Sequence, residues 1–495
     1  MGVEIEKTTF DAADFQAFHI KLEQNLSALK QLLAQPGFGQ GQGSLGAELE
    51  LYIIDSQGHP LPVNQEIQTE AGDPRLTLEL NRYNLEYNLD PYTLDHQPFL
   101  RTENAIRRQL AALEPLARKR GGRLAMVGIL PTLRQQDFGS HSMTDLRRYH
   151  ALLNQLHNKR GGSFKIDIDG VDPLRLDMAD VTLEGANTSF QVHYRVQPDA
   201  FADTYNAMQL VTPLVLALAA NSPTLFGHSL WHETRIPLFK QSTDMRPDNP
   251  QRWHPPPRVN FGNGWLREGA FELFSECIRA YAPILPVCDS EDPLQVVSNA
   301  GVPKLNELRL QQGSIWLWNR PVYDHAEGGH LRIEMRALPA GPTPIDMVTN
   351  AALLIGLAEG IRDQVHLLLP GLPFHLAAYN FYRAAQFGLG AKLVWPTPQQ
   401  AGCSERRAGD ILQTLFPVAR KGLERIGIET AEINRYLGVA QARLHSGQTG
   451  AIWQQRTLRM LEKKQPRKQA LHEMLEQLVR HGCTNQPVSE WRPGA

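Results

Sequence analysis

The sequence has little of what marks several large protein classes. Its 495 residues include four cysteines, Cys277, Cys288, Cys403 and Cys483, with no CxxC pair among them. That spacing argues against a disulfide framework or a zinc ribbon and fits thiols kept reduced. An excess of one charge is missing as well: 50 Lys and Arg stand against 52 Asp and Glu, for a net charge of −2. The global electrostatic case for nucleic acid or an anionic membrane as partner therefore falls away. The most apolar run, 210–220, contains Thr212 and Pro213 and is far shorter than the ~20 residues that span a bilayer. It reads as a core helix. The first residues have no basic stretch leading into an apolar one, and Glu6 stands where a myristoylation pattern needs Ser or Thr; a cytoplasmic location is expected. No Walker A GxxxxGK[ST], kinase catalytic set or GxSxG elbow occurs, so a bound nucleotide must be held by other means.

What is present is an ordinary globular composition, 42% hydrophobic and 21% charged, long enough for about three domain-sized units or one large enzyme domain with appendages. A first helix is predicted over 14–34, stopping before Pro36 and a run of glycines. Thr102 and Thr144 are expected to cap two helices that end at the two KRGG sequences, 119–122 and 159–162, with cations in the last turn and glycine beyond it. Strand-like runs follow at 123–129 and 163–169, and SFQVHYRV at 189–196 reads as another strand. A nearly all-apolar helix is predicted over 203–220, and another starting at Thr343-Pro344 runs to Pro370-Gly371. The segment 240–264 breaks the pattern with five prolines between Pro247 and Pro257; a lid over a site and an ordered surface connection are both open. From about Cys403 to His481 the chain is charged and lacks strand signals. We divide it into a catalytic domain over 1–390 and a helical C-terminal appendage over 391–495.

Four strand candidates carry charged residues with period 2, which places the charges on one face. In 46–54, Glu48 and Glu50 point one way while Ala47, Leu49, Leu51 and Ile53 point the other. In 76–89, Glu79 and Glu86 flank a polar break, 81–84, where a hairpin or bulge returns both carboxylates to one place. Gln191, His193 and Arg195 alternate with Phe190, Val192 and Tyr194, and Arg332, Glu334 and Arg336 alternate with Leu331, Ile333 and Met335. On one strand such a face is the solvated side of an antiparallel sheet. Four together describe a site. Five glutamates gathered on one face repel one another unless cations hold them, and oxygen ligands with one imidazole suit Mg2+ or Mn2+. Arginines between the acids suit phosphate oxygens. The combination reads as nucleotide-dependent phosphoryl transfer.

GAELE at 46–50, Glu79 with Glu86 seven residues on, VHY around His193, ANSP at 220–223 and RIEMRALPAGPTPID at 332–346 resemble, in order, the glutamate–cysteine ligase and carboxylate–amine ligase family, which is related in fold to glutamine synthetase. The resemblance implies an α+β fold: a curved, mainly antiparallel sheet forming a funnel, flanked by helices. It implies ATP as cosubstrate with Mg2+ or Mn2+, and small-molecule carboxylate and amine substrates joined as an amide through an acyl phosphate, with glutamate and cysteine the first expectation. A different amine, or a phosphotransferase on the same fold, stays open. By position, Glu48, Glu50, Glu79, Glu86, His193 and Glu334 resemble the metal ligands. Arg336 resembles the arginine on the transferred phosphoryl group, with Glu334 beside it as catalytic and Arg332 as a second contact to the nucleotide. Arg235 and Arg320 resemble substrate-binding arginines. Neither nucleic acid nor membrane is expected as partner, and the oligomeric state is open.

Overall fold

The computed structural model describes residues 7–247, 251, 253–396 and 403–494. The alternation read in the sequence builds one seven-stranded sheet from β1 (Ser44–Asp55), β2 (Leu76–Leu78), β3 (Asn84–Thr93), β4 (Gly122–Ala125), β5 (Phe190–Val196), β6 (Asn319–Asp324) and β7 (His330–Met335). The order is β6-β7-β5-β1-β3-β2, with β4 on the far end of β1. Every pairing is antiparallel, and the sheet is curved, as right-handed strand twist requires. The break at 81–84 is the turn of a β2–β3 hairpin, in register with Thr77 opposite Glu86.

One face of the sheet is apolar. Leu49, Leu51, Leu85, Phe190, Val192, Leu331, Ile333 and Met335 are all buried there. They pack with two helices, α4 (Phe201–Ala219) and α5 (Pro344–Ile361), whose residues are nearly all buried; α1 (Ala12–Leu33), α2 (Pro98–Lys119) and α3 (Arg147–Arg160) precede them in the chain. At roughly 1.5–3 kcal/mol for each large apolar side chain buried, this layer provides the stability against which a strained charged face can be held. Among the described residues, Pro344–Gly371 has the length and composition to cross a membrane, yet 94% of its apolar window is buried inside the protein. Core packing accounts for that composition.

Beyond Glu50 the other face of β1 turns apolar too. Tyr52 and Ile54 join a second core with Val127, Ile129, Trp453, Met474, Leu475 and Leu478. The last two helices, α8 (Gly450–Leu461) and α9 (Arg467–Gly482), therefore close one end of the sheet's polar face, whereas α7 (Thr430–Ser446) buries Ile433, Tyr436, Leu437 and Ala440 in the first core. α6 (Ala408–Arg425) lies across α5 so closely that a Cβ on Gly422 would collide with the backbone of Gly356. A buried ion pair, Arg443 to Asp346 at 2.6 Å, ties α7 to the start of α5.

Several local expectations change. α2 begins at Pro98, with Pro at its first position, so Thr102 lies one turn inside and its hydroxyl bonds the Pro98 carbonyl. Thr144 does not cap α3, which starts at Arg147; its hydroxyl donates to the Glu79 carbonyl at 2.5 Å. The run at 123–129 is strand only to Ala125. Contrary to the all-helical reading of the tail, Cys403–Arg407 forms a strand antiparallel to Lys392–Pro396; alternation over five residues amid helical composition is too short to stand out. Of the segment 240–264, residues 248–250 and 252 lie outside the described residues. Its far end is anchored: Val259 and Asn260 pair with Trp316 and Leu317, and the Phe261 ring stacks on Phe381 at 4.6 Å.

Candidate active site

Strand register assembles the polar face. Glu50 lies opposite Glu86, Glu48 opposite Gln191, His193 opposite Glu334, and Glu334 opposite Arg320. Side chains on five neighbouring strands therefore converge, four of these strands being the ones whose period-2 charges the sequence shows.

They form two groups. In the first, Glu48, His193 and Glu334 are buried, and their ligand atoms lie within 4.8 Å of one another. His193 Nε2 is 3.0 Å from Glu48 Oε1, while Arg332 Nε donates to His193 Nδ1 at 3.2 Å. Glu48 Oε2 is buried with no hydrogen-bond partner among the described residues. A buried, orphaned carboxylate oxygen beside an imidazole and a second carboxylate is a donor set that fits a divalent cation. Glu334 is held by arginines: Arg320 donates through Nε at 2.5 Å and Nη2 at 3.0 Å, and Arg336 Nη1 donates at 2.6 Å. Burial opposes its ionisation, yet Arg320 and then Arg336 keep its carboxyl well below the usual range. Arg336, bonded also to Gln191 Oε1, loses by burial and gains more from Glu334, Glu50 and Glu48, so its guanidinium is held even more firmly charged.

The second group comprises Glu50, Glu79, Glu86 and a residue the sequence reading did not select, Glu184. Glu50 accepts from the Ser189 amide at 2.6 Å and from Gln191 Nε2 at 2.9 Å. Its carboxyl is nonetheless raised, by burial, with Arg336 and Arg235 opposing. Glu79 is raised well above the ordinary value by burial and then by Glu86, Glu50 and Glu184. Burial followed by Glu48 and Glu50 pushes Glu86 up to about 8, and burial followed by Glu50 does the same to Glu184. The two groups share a face and differ in what offsets their charge.

The predicted arginines divide as follows. Arg336 and Arg320 both engage Glu334. Arg332 lies on the same face but bonds Asp324 at 2.7 Å as well as His193, which ties it to the first group's imidazole. Arg235 is buried, its Nε 3.0 Å from Glu233 and its Nη2 on the Ala337 carbonyl at 2.6 Å. It reaches the site through its field at Glu50. Glu184 sits in a 3-10 turn, Thr182–Ala186, where no alternation betrays which way a side chain points. Its one sequence signal is an acid placed shortly before the site strand β5.

A model of glutamate–cysteine ligase family 2 matches residues 1–481. The chain belongs to this family. Over 185 residues it is 25% identical to a glutamate–cysteine ligase of Halobacterium salinarum, an alignment covering 37% of this chain and 44% of that one. Less than half of that relative's length is thus matched. The fold is similar to that of the glutamate–cysteine ligase of Francisella tularensis solved in complex with AMP, with a TM-score of 0.52, 10% identity and 90% of each chain covered. At that identity the likeness speaks for the fold.

Proposed function

We propose that the chain is an ATP-dependent carboxylate–amine ligase that activates a carboxylate as its acyl phosphate, with glutamate and cysteine as substrates. The observation that carries this reading is the single sheet face on which two carboxylate groups meet a pair of guanidinium groups on Glu334. Family membership and a neighbour crystallised with AMP support it.

A carboxylate is a poor electrophile, and transfer of the γ-phosphoryl group to its oxygen makes that oxygen a leaving group. Attack by the amine on the carbonyl carbon then forms the amide and releases phosphate. Divalent cations, Mg2+ or Mn2+, would be held by Glu48, His193 and Glu334 in one group and by Glu50, Glu79 and Glu86 in the other, and supply charge neutralisation for the phosphate oxygens. The chain's own part is positioning. Arg336 is oriented by Glu334 and Gln191, so its remaining donors are fixed before substrate arrives, the preorganisation that favours developing phosphoryl charge. Arg320 fixes the other oxygen of Glu334.

ADP release measured with amino acids and amines in pairs tests the reading. ADP that forms only when a carboxylate and an amine are both present, with glutamate and cysteine the best pair, is the expected result. ADP release without amine, leaving a stable phosphorylated product, would replace the ligase with a phosphotransferase.

A further inference from the structure

Glu50, Glu79, Asn84, Glu184 and Asn187 line one cleft at the end of the polar face away from His193. Three of these are carboxylates. Asn84 is 2% exposed, and its Oδ1 has no hydrogen-bond partner among the described residues; Asn187 Oδ1 is likewise unpartnered. Buried amide oxygens are rarely left so, because each forfeits its hydration without recompense. Burial and the neighbouring Glu50 together raise the Glu184 carboxyl. Thr188 also lines the cleft, but the side-chain donors there are spent on backbone carbonyls, Asn84 Nδ2 on Leu51, Asn187 Nδ2 on Glu184 and Thr188 Oγ1 on Val127, so the groups left over are carboxylate and amide oxygens, which points to a cation as occupant.

The turn carrying Glu184 is held in place from several sides. Thr182 N bonds Asp180 Oδ1 at 2.9 Å, the Thr182 carbonyl accepts from Asn81 Nδ2 at 2.9 Å, and the Ala186 carbonyl accepts from Tyr52 Oη at 2.5 Å. Gly185 lies so near Asn81 that a Cβ there would collide with its side chain. The fold therefore fixes a fourth carboxylate against three others, an arrangement that costs stability unless charge is brought to it. Glu86, by contrast, already accepts from Thr77 Oγ1 at 3.0 Å and Asn88 Nδ2 at 3.1 Å and does not line the cleft.

We propose that Glu184 and the side-chain carbonyl of Asn84 are ligands, with Glu50 and Glu79, of a divalent cation separate from the one at Glu48, His193 and Glu334. This rests on the reading of the face as cation-dependent and adds a ligand supplied by a turn outside the sheet. The donors are all oxygen, which selects a hard ion such as Mg2+ or Mn2+ over zinc.

The test is Mn2+ binding to the full chain, followed by electron paramagnetic resonance of free Mn2+, together with the thermal midpoint of the metal-free protein. Wild type should bind at least two ions. Glu184→Gln and Asn84→Ala should each weaken one by at least about tenfold and leave the other, whereas Glu48→Gln should affect the remaining one. The metal-free midpoint of Glu184→Gln should equal or exceed that of wild type, and Glu184→Asp should restore part of the Mn2+ affinity. Unchanged binding of both ions by folded Glu184→Gln overturns the proposal, as does a cleft that takes ammonium and ignores Mn2+. If the variants behave as expected but no pair of substrates releases ADP, the ligase reading fails and the cation site stands.

Discussion

The two carboxylate groups meet on the same polar face, yet they are built oppositely. Around Glu334 the protein supplies its own counter-charge, two guanidinium groups within hydrogen-bond distance. Around Glu79 and Glu184 the strongest influences after burial are other carboxylates. A pair of unit charges ~4 Å apart interacts by about 4 kcal/mol at an effective dielectric of 20, so the first group is a stable element of the apo fold. The second is a strained one. The first holds its geometry with the protein's own charges, whereas the second, on our proposal, acquires its full charge only with a cation.

The largest expected effect comes from breaking the self-neutralised group. Glu334→Gln should lower kcat by several orders of magnitude and also destabilise the protein by about 3–5 kcal/mol, because Arg320 and Arg336 are left buried without their carboxylate. Urea unfolding measures the second loss; a variant as stable as wild type would mean the ion pairs contribute nothing. The same change in the strained group should have the opposite sign on stability: Glu79→Gln should raise the metal-free midpoint by a few degrees while lowering activity. A fall in the midpoint would refute the account of repulsion.

Acidity sharpens the contrast further. A carboxyl whose folded value is raised stays protonated in the folded state after the unfolded chain has released its proton, so stability declines as pH rises between the two values. For Glu86 and Glu184 that window runs from the ordinary value of 4.5 to about 8. Metal-free protein should lose stability from pH 5 to pH 8, and Mg2+ should flatten the decline. A rising or flat curve without metal would contradict it. The smallest effect separates the flanking arginines. Arg336→Lys loses the forked guanidinium aimed from Glu334 and Gln191 and should lower kcat more than Arg332→Lys, whose partners are Asp324 and His193. Equal losses would show that phosphoryl contact is not confined to Arg336.

Much of this was legible in the sequence because period 2 is a strong signal when one face of a strand is core and the other a site. Glu48, Glu50, His193 and Glu334 were found that way, and strand register brought them together. The β2–β3 hairpin was legible from its polar break. Glu184 was not, since a 3-10 turn has no face periodicity, and neither was the pairing of Arg320 with Glu334, which depends on which strand neighbours which. Thr102 and Thr144 misled as caps because hydroxyls also bond carbonyls inside a helix or across a loop.

Isotope labelling decides whether a carboxylate is activated by phosphorylation. Substrate carboxylate carrying 18O in both oxygens, turned over with ATP, Mg2+ and amine, should yield phosphate containing one 18O atom per molecule, because the carboxylate oxygen that attacks the γ-phosphorus leaves with it. Unlabelled phosphate formed in step with the amide product would contradict an acyl phosphate and the mechanism built on this face.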